Sequence, residues 1–196
     1  MNFIESIRVE RGTMCNIGYH LERSTRTILL QFGLVYELPL QYLFDSMWGK
    51  NGENVGDIYK FRVVYSKRVI SASLEQYTQK SAISLKVVES DNIWYPFKYE
   101  DRLCFDNLLK QKGSCDDILI VKSDLVTDTS YGNIVYDFNG TLYTPANCLL
   151  KGTRRARLLR DGVIAERDLH CNEIEQCRSF YMINAMLNMI PAEVII

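Results

Sequence analysis

The dipeptide Asn139-Gly140 separates two short runs of β-branched, aromatic and polar residues, 133–138 and 141–144. Asn-Gly favours the tight turn that matches the twist of paired strands, so this segment predicts an antiparallel hairpin. A few residues later, Gly152-Thr153-Arg154-Arg155 has the composition of a helix start. The unpaired N–H groups and the dipole of a helix start attract anions. The segment therefore predicts a hairpin followed closely by an anion-binding helix start, with the carboxylate of Asp128 just before both.

The hydrophobic spacing of the remaining sequence predicts an α+β fold. Pro96 keeps its aromatic neighbours out of a helix, and this extended stretch predicts a join between two lobes, 1–92 and 93–196. The glycine- and asparagine-rich stretch 49–57 predicts a loop. The sequence predicts helices over 19–32, 40–48, 99–112 and 153–160, and strands over 3–9, 58–66, 68–74, 82–89, 118–122, 133–138, 141–144 and 179–183, the last as the final core strand.

Composition argues against several classes of function. The 196 residues carry a net charge of −1, which gives no general attraction to nucleic acid or to a membrane surface. Six cysteines without a CxxC pair, together with two histidines, argue against a metal site, and they indicate reduced, mostly buried thiols in a cytoplasmic protein. The first residues mix acid and base and do not predict a signal peptide, and no apolar run is long enough to predict a membrane span.

Several short motifs occur together in a characteristic order along nearly the whole chain, and this order resembles the class IV aminotransferase family of fold-type IV pyridoxal 5′-phosphate (PLP) enzymes. Within that family the nearest likeness is to the 4-amino-4-deoxychorismate lyases. The resemblance implies a two-lobed fold of the D-amino acid aminotransferase type, PLP between the lobes, and a homodimer. The motifs are Glu5-x-Ile7-Arg8, His20-x-x-Arg23, Lys98-x-x-x-Arg102-Leu103, Asp128-x-x-x-x-Asn133-Ile134, Thr144-Pro145, Gly152-Thr153-Arg154-Arg155 and Asn184-Ala185.

Lys98 matches the family's Schiff-base lysine, which also carries the substrate α-proton. An amine beside aromatic residues and near a cationic cofactor is desolvated, and both effects lower its pKa toward the range useful for proton transfer. The structural alternative is a solvated lysine between lobes, which is the ordinary place for a lysine. The motif order favours the catalytic interpretation.

Asp128 matches the family's acidic partner of the pyridine nitrogen, and Asn133 belongs to the same motif as a cofactor-binding residue. The acid keeps the ring nitrogen protonated, so that the ring accepts electrons. The family usually has Glu at this position, and Asp is one methylene shorter. To reach the ring nitrogen, either the backbone at Asp128 would have to lie closer to the cofactor or a water would have to bridge the two groups. The alternative is that 124–128 forms a polar loop.

The resemblance implies that the phosphate is bound by Gly152, Thr153, Arg154 and Arg23, and that Asn184 also contacts the cofactor. Glycine allows close backbone approach, and the threonine hydroxyl adds a donor. We expect His20 to be a structural neighbour of Arg23. The basic residues of 151–160 are alternatively a solvated helix face or an RNA-binding patch, and near-zero net charge without interleaved aromatics argues against RNA.

Position 103 favours a lyase. Related transaminases commonly carry a tyrosine five residues after the lysine, whereas the lyases resemble this chain in having Arg-Leu there, and Asn184-Ala185 also resembles the lyase pattern. We therefore expect conversion of 4-amino-4-deoxychorismate to 4-aminobenzoate and pyruvate. The alternatives are an aminotransferase acting on branched-chain or D-amino acids, and a noncatalytic PLP-binding protein. The sequence begins at a strand that follows an N-terminal segment in relatives, and we expect a less complete substrate wall.

Overall fold

The computed structural model describes residues 1–50, 53–54 and 56–196. These residues form two compact units, and each unit consists of two stretches of the chain. The first unit contains Met1–Gln79 and Phe97–Asp101, and the second contains Lys80–Pro96 and Arg102–Ile196. The α+β class predicted from the sequence is confirmed. The predicted lobes, 1–92 and 93–196, stay a prediction.

An antiparallel sheet with two helices forms the first unit. Its described strands lie in the order β2-β1-β3-β4, and Phe3 to Glu10 of β1 pair in continuous register with Tyr65 to Ile58 of β3. Its elements are β1 (Phe3–Glu10), β2 (Thr13–Met14), α1 (Ile17–Phe32), α2 (Leu40–Met47), β3 (Ile58–Tyr65) and β4 (Val69–Gln76). The predicted loop 49–57 falls partly on residues 51, 52 and 55, which lie outside the described residues.

The core of the first unit consists of apolar side chains from the sheet and both helices. Phe3, Ile7 and Phe61 are fully buried, and Ile28 of α1 and Phe44 of α2 pack in the same cluster. The buried face of the helix α1 is not purely apolar. It also contains polar side chains, whereas Leu29 and Leu30 are 46% and 63% exposed.

The second unit is built on a mixed sheet. The described strands lie in the order β10-β9-β8-β11-β12-β5-β6-β7, and an additional pairing between β7 and β8 closes six of them into a ring. Its elements are β5 (Ile83–Glu89), α3 (Leu103–Leu109), β6 (Asp117–Lys122), β7 (Leu125–Thr129), β8 (Asn133–Phe138), β9 (Thr141–Thr144), α4 (Thr153–Arg160), β10 (Ala165–Glu166), a 3₁₀ helix (Cys171–Gln176), β11 (Ser179–Ile183) and β12 (Ile190–Ile195).

The predicted hairpin is confirmed. Asn139 and Gly140 have φ values of 54° and 84°, which are the left-handed conformations that a two-residue turn of this kind needs. Phe138 pairs with Thr141, so β8 and β9 join through these two residues alone. The helix start predicted at Gly152-Thr153 is also confirmed, since Gly152 is the N-cap of α4.

Two predictions about secondary structure are wrong. The helix predicted over 99–112 begins only at Leu103, because Tyr99 forms a β-bridge with Phe3. The strand 179–183 is not the last one, because β12 follows it and lies between β11 and β5 in the sheet. The sequence also gave no indication of β7, so Asp128 lies in a strand and not in a polar loop.

Candidate active site

The backbone of Lys98 is attached to the start of β1. Its carbonyl oxygen accepts a hydrogen bond of 2.9 Å from the N–H of Ile4, and the next residue, Tyr99, forms the bridge to Phe3. The rings of Phe97 and Tyr99, on either side of Lys98, lie 6.1 Å and 5.3 Å from the ring of Phe3. The lysine is half-buried. This segment is therefore fixed by hydrogen bonding and aromatic packing, which is what a positioned amine requires.

Arg23 and His20 meet a common carboxylate inside the first unit. The Nε of Arg23 donates to Oε1 of Glu5 over 2.9 Å, and its Nη2 donates to Oε2 of the same residue. The Nδ1 of His20 lies 2.5 Å from Oε2. Glu5 and His20 are fully buried, and Arg23 is nearly so. Glu5 lies on the same face of β1 as Phe3 and Ile7, and it holds the arginine that the resemblance assigns to phosphate binding.

The charges in this network are set by burial and by one another. Burial alone would raise the pKa of Glu5, but Arg23 and His20 outweigh it and lower the pKa to about 2. Burial lowers the pKa of His20, and the cations of Arg23 and Lys98 lower it further against the effect of Glu5. The histidine is therefore neutral at pH 7 and donates to Glu5 through Nδ1. The charges of Lys98 and Arg23 thus both act on His20.

Asp128 is buried in the second unit, where both of its carboxylate oxygens accept hydrogen bonds. The Nδ2 of Asn133 donates to Oδ1 over 2.7 Å, and the N–H of Leu150 donates to Oδ2 over 2.9 Å. Asp128 and Asn133 are also direct partners in the pairing of β7 with β8. Burial raises the pKa of Asp128 to about 6, against the lowering effects of Leu150, Asn133 and Arg155.

The start of α4 lies next to this carboxylate in sequence and in space. The carbonyl of Gly152 accepts the first helical bond, 2.9 Å from the N–H of Ala156, and no side chain in the described chain caps the helix. The N–H groups of a first helical turn have no intrahelical acceptor. Thr153 is buried at the first position of the helix, and Arg154 is half-buried. This helix start therefore has the form of an anion-binding site.

The other arginines of α4 are paired with acidic residues. The Nη2 of the buried Arg155 lies 2.6 Å from Oε1 of Glu166 and 2.9 Å from the carbonyl oxygen of Pro145. Arg157 and Arg160 both donate to Asp161. Two carboxylates, those of Glu166 and Asp161, thus face three of the four arginines of α4. They offset part of the positive charge of the helix, which favours a solvated helix face over an RNA-binding patch.

Asn184 stabilises a turn after β11. Its Oδ1 accepts hydrogen bonds from the N–H groups of Met186 and Leu187, over 2.8 Å and 2.9 Å. Its Nδ2 donates to the carbonyl oxygen of Tyr131 over 3.4 Å. The side chain thus links this turn to the β7–β8 connection, and its role as a cofactor ligand stays a prediction.

Arg102 and Leu103 lie at the start of α3 in the second unit. The Nη2 of Arg102 donates to the carbonyl oxygen of Ser130 over 2.6 Å, and its guanidinium lies 5.0 Å from the ring centre of Phe105. Leu103 is 70% exposed. Arg102 therefore anchors the connection that follows Asp128, a contact that sequence reasoning did not foresee, although the motif order had singled the residue out.

A family model described as amino-transferase class IV matches residues 2–195. The chain belongs to this family. Membership makes it a PLP-dependent enzyme. A relative from Haemophilus influenzae, described as an uncharacterized protein, is 31% identical over 182 residues, which are 93% of this chain and 96% of that protein.

Solved structures resemble this chain over most of its length. A proposed 4-amino-4-deoxychorismate lyase from Haemophilus somnus 129pt has a TM-score of 0.85 and 32% identity, covering 94% of this chain and 96% of the other. A proposed 4-amino-4-deoxychorismate lyase from Legionella pneumophila has a TM-score of 0.81 and 20% identity, covering 98% and 82%. The second likeness shows the fold alone.

The candidate residues of this chain fit PLP, and each of the two units contributes its own set of them. The second unit offers a buried carboxylate at Asp128 for a ring nitrogen and an uncapped helix start at Gly152-Thr153 for a phosphate. The first unit offers Lys98 and the buried guanidinium of Arg23. Within the described residues, no group of three or more His, Cys, Asp or Glu could hold a metal ion.

The remaining sequence expectations concern thiols and membranes. The six cysteines all lie in the described part of the chain and form no disulfide there. One of them, Cys115, is buried and Cys104 is exposed, so the expectation of mostly buried thiols is wrong. None of the helices in the described part of the chain is long and apolar enough to cross a membrane.

Proposed function

We propose that this enzyme is a PLP-dependent lyase that converts 4-amino-4-deoxychorismate to 4-aminobenzoate and pyruvate. The observation that carries the proposal is Leu103, five residues after Lys98. Its hydrocarbon side chain is largely exposed and has no hydrogen to donate, so it cannot replace the tyrosine that transaminases of the family commonly carry there. The name of the 32% identical protein from Haemophilus somnus supports the same substrate.

The chain's own residues would divide the work as follows. When bound, PLP supplies an electron-accepting ring, which acidifies the C–H beside the substrate amine. Lys98 would hold the cofactor and take up the proton from that carbon through Nζ. Asp128 would accept a hydrogen bond from the ring nitrogen, while Arg23 and the N–H groups at Gly152-Thr153 would bind the phosphate. Arg154 and Asn184 would complete the cofactor contacts, and Asn133 would hold the carboxylate of Asp128 in place.

The proposed reaction needs no oxidant and no second substrate. The ring carbon that bears the amine loses its proton to Lys98, the C–O bond to the enolpyruvyl group breaks, and the departing group gains a proton to become pyruvate. The two products together contain all the atoms of the substrate. Because the remaining ring becomes aromatic, the chain has mainly to position the reacting groups and balance their charge.

Substrate assays separate this proposal from the alternatives. With 4-amino-4-deoxychorismate and no keto acid, we expect pyruvate and 4-aminobenzoate in equal amounts, with pyruvate followed by coupling to lactate dehydrogenase. A transaminase would instead need an acceptor to turn over. Absence of pyruvate, together with glutamate formed from branched-chain amino acids and 2-oxoglutarate, would replace the lyase with an aminotransferase. Bound PLP without either reaction would favour a noncatalytic or differently specific protein.

The proposal extends to the cellular setting. We propose a cytoplasmic homodimer that takes a small amino substrate and acts in folate biosynthesis, for which 4-aminobenzoate is a precursor. It would have neither a nucleic acid nor a membrane as partner. The ion pairs of three α4 arginines with Glu166 and Asp161 support the part of this proposal that concerns nucleic acid. Sedimentation of the PLP-bound protein would test the dimer, with a monomer at micromolar concentration as the contradicting result.

A further inference from the structure

The side chain of Asn133, the first residue of β8, contacts two other segments of the second unit. Its Nδ2 donates both to Oδ1 of Asp128 over 2.7 Å and to the carbonyl oxygen of Leu150 over 2.8 Å. Leu150 in turn donates its N–H to the other oxygen of Asp128 over 2.9 Å. The result is a closed set of hydrogen bonds among β7, β8 and the loop that leads into α4.

The amide oxygen of Asn133 explains why residue 152 is a glycine. A Cβ on Gly152 would lie 2.2 Å from Oδ1 of Asn133, a distance that real contacts do not show. The backbone of Gly152, with φ −71° and ψ 149°, is open to any residue, so conformation does not require glycine here. Asn133 is itself buried and held by two hydrogen bonds, and it cannot move aside without breaking them.

We propose that Asn133 is a positioning residue, whose amide locks the carboxylate of Asp128 to the start of α4, and that Gly152 is glycine in order to seat this amide. The inference deepens the proposed function, since Asp128 and α4 are its candidates for binding the ring nitrogen and the phosphate. Asn133 then acts on PLP through these groups, and Gly152 is needed for Asn133 rather than for close approach of the phosphate.

A double-mutant cycle tests this assignment. The variants are Gly152→Ala, Asn133→Ala and their combination, each measured by thermal unfolding without PLP and by PLP titration. In the presence of Asn133, we expect Gly152→Ala to lower the melting temperature and to weaken PLP binding by about tenfold or more, because the overpacked amide must move. In the Asn133→Ala background, the same change should have little effect on either quantity.

Gly18→Ala is the matched control for the loss of a glycine. A Cβ there meets nothing within 4 Å, and we expect no loss of stability or PLP affinity. If Asn133→Ala fails to fold, Asn133→Ser replaces it in the cycle, since serine also places no atom where Oδ1 lies. Equal weakening of PLP binding by Gly152→Ala in both backgrounds, without a change in melting temperature before PLP is added, would overturn the proposal. A Gly152→Ala variant that behaves as wild type would overturn it too.

The pH profile separates positioning from simple structural support. Arg155 and Cys148 also face Asp128, and the Cys148 thiol stays neutral because burial raises its pKa to about 11. Loss of the Asn133 donor should raise the pKa of Asp128 further. The pH at which PLP affinity is half-maximal should therefore move upward in Asn133→Ala but not in Gly18→Ala, and an unmoved profile would contradict the positioning role. Wild-type protein that does not bind PLP would refute the proposed function, whereas the coupling in melting temperature would still stand.

Discussion

Glu5 accepts hydrogen bonds from both Nε and Nη2 of Arg23 in the interior of the first unit. The two charges neutralise each other, and the neutral His20 completes the coordination of the carboxylate. Arg23 is thus held by the fold independently of any ligand. Its substitution should consequently affect the stability of the protein as well as its affinity for a phosphate.

Arg23→Ala should destabilise the protein by about 3–5 kcal/mol, because Glu5 would remain as a buried charge without its cation. It should also weaken PLP binding, by the loss of a charge-assisted hydrogen bond of about 1.5–3 kcal/mol. Chemical denaturation without PLP and PLP titration measure the two effects separately. The control is the double variant Glu5→Gln/Arg23→Met, which should regain much of the stability but none of the affinity. Full affinity in the double variant would remove Arg23 from the phosphate site.

Lys98→Ala should abolish the covalent attachment of PLP and leave the melting temperature nearly unchanged, because the fold uses the backbone of residue 98 and the side chain is only half-buried. Reduction with borohydride followed by peptide mapping identifies the modified lysine. Lys151→Ala, at an exposed position beside Gly152, is the control and should retain the modification. A borohydride-sensitive absorbance band that persists in Lys98→Ala would show that another lysine holds the cofactor.

Asp128 should make stability depend on pH in the PLP-free protein. Its pKa is raised from 3.8 to about 6, so its contribution is fully present below the unfolded pKa and is lost as pH rises through about 6. Between pH 4 and pH 7, the stability of wild type relative to Asp128→Asn should fall by up to about 3 kcal/mol. Other groups titrate in both proteins and cancel in this difference. A difference that is constant with pH would mean that folding does not change the pKa of Asp128.

Asn184 offers a way to separate turn formation from cofactor binding. Asn184→Ala should cost about 1–3 kcal/mol, because the N–H groups of Met186 and Leu187 lose their acceptor. Asn184→Asp keeps that acceptor and should preserve most of the stability. The same variant removes the Nδ2 donor and adds a negative charge, so PLP titration of Asn184→Asp tests whether the amide takes part in cofactor binding. Unchanged affinity would limit Asn184 to supporting the turn.

Local signals in the sequence predicted the fold best. Asn139-Gly140 and Gly152-Thr153 each specify a turn or a helix start through their own backbone preferences, and both are found where predicted. The final strand was missed because Pro191 lies within it, and a proline ordinarily argues against a strand inside a sheet. The helix at 99–112 was overestimated because the pairing of Tyr99 depends on Phe3, which is far away in sequence.

The candidate site was predicted through motif order more than through chemistry. Order along the chain singled out Lys98, Asp128 and Gly152, but it could not show which groups touch one another. The helix α1 leaves Leu29 46% exposed and buries His20 and Arg23 against Glu5. The burial of a charged side chain such as Arg23 can be predicted only when its partner is known. Here the partner, Glu5, lies in β1 and not in the same helix.

The placement of β12 has a consequence for how the second unit folds. Its parallel pairing with β5 joins residues at opposite ends of the unit's sequence, and its antiparallel pairing with β11 fills the gap in the ring. Until β12 is inserted, β5 and β11 each expose an unpaired edge, which can recruit other chains. Pairing β5 with β12 closes a long loop, and the entropy of closure is lost before the contacts form. Refolding should therefore be slow, and the protein should aggregate more during refolding as its concentration rises.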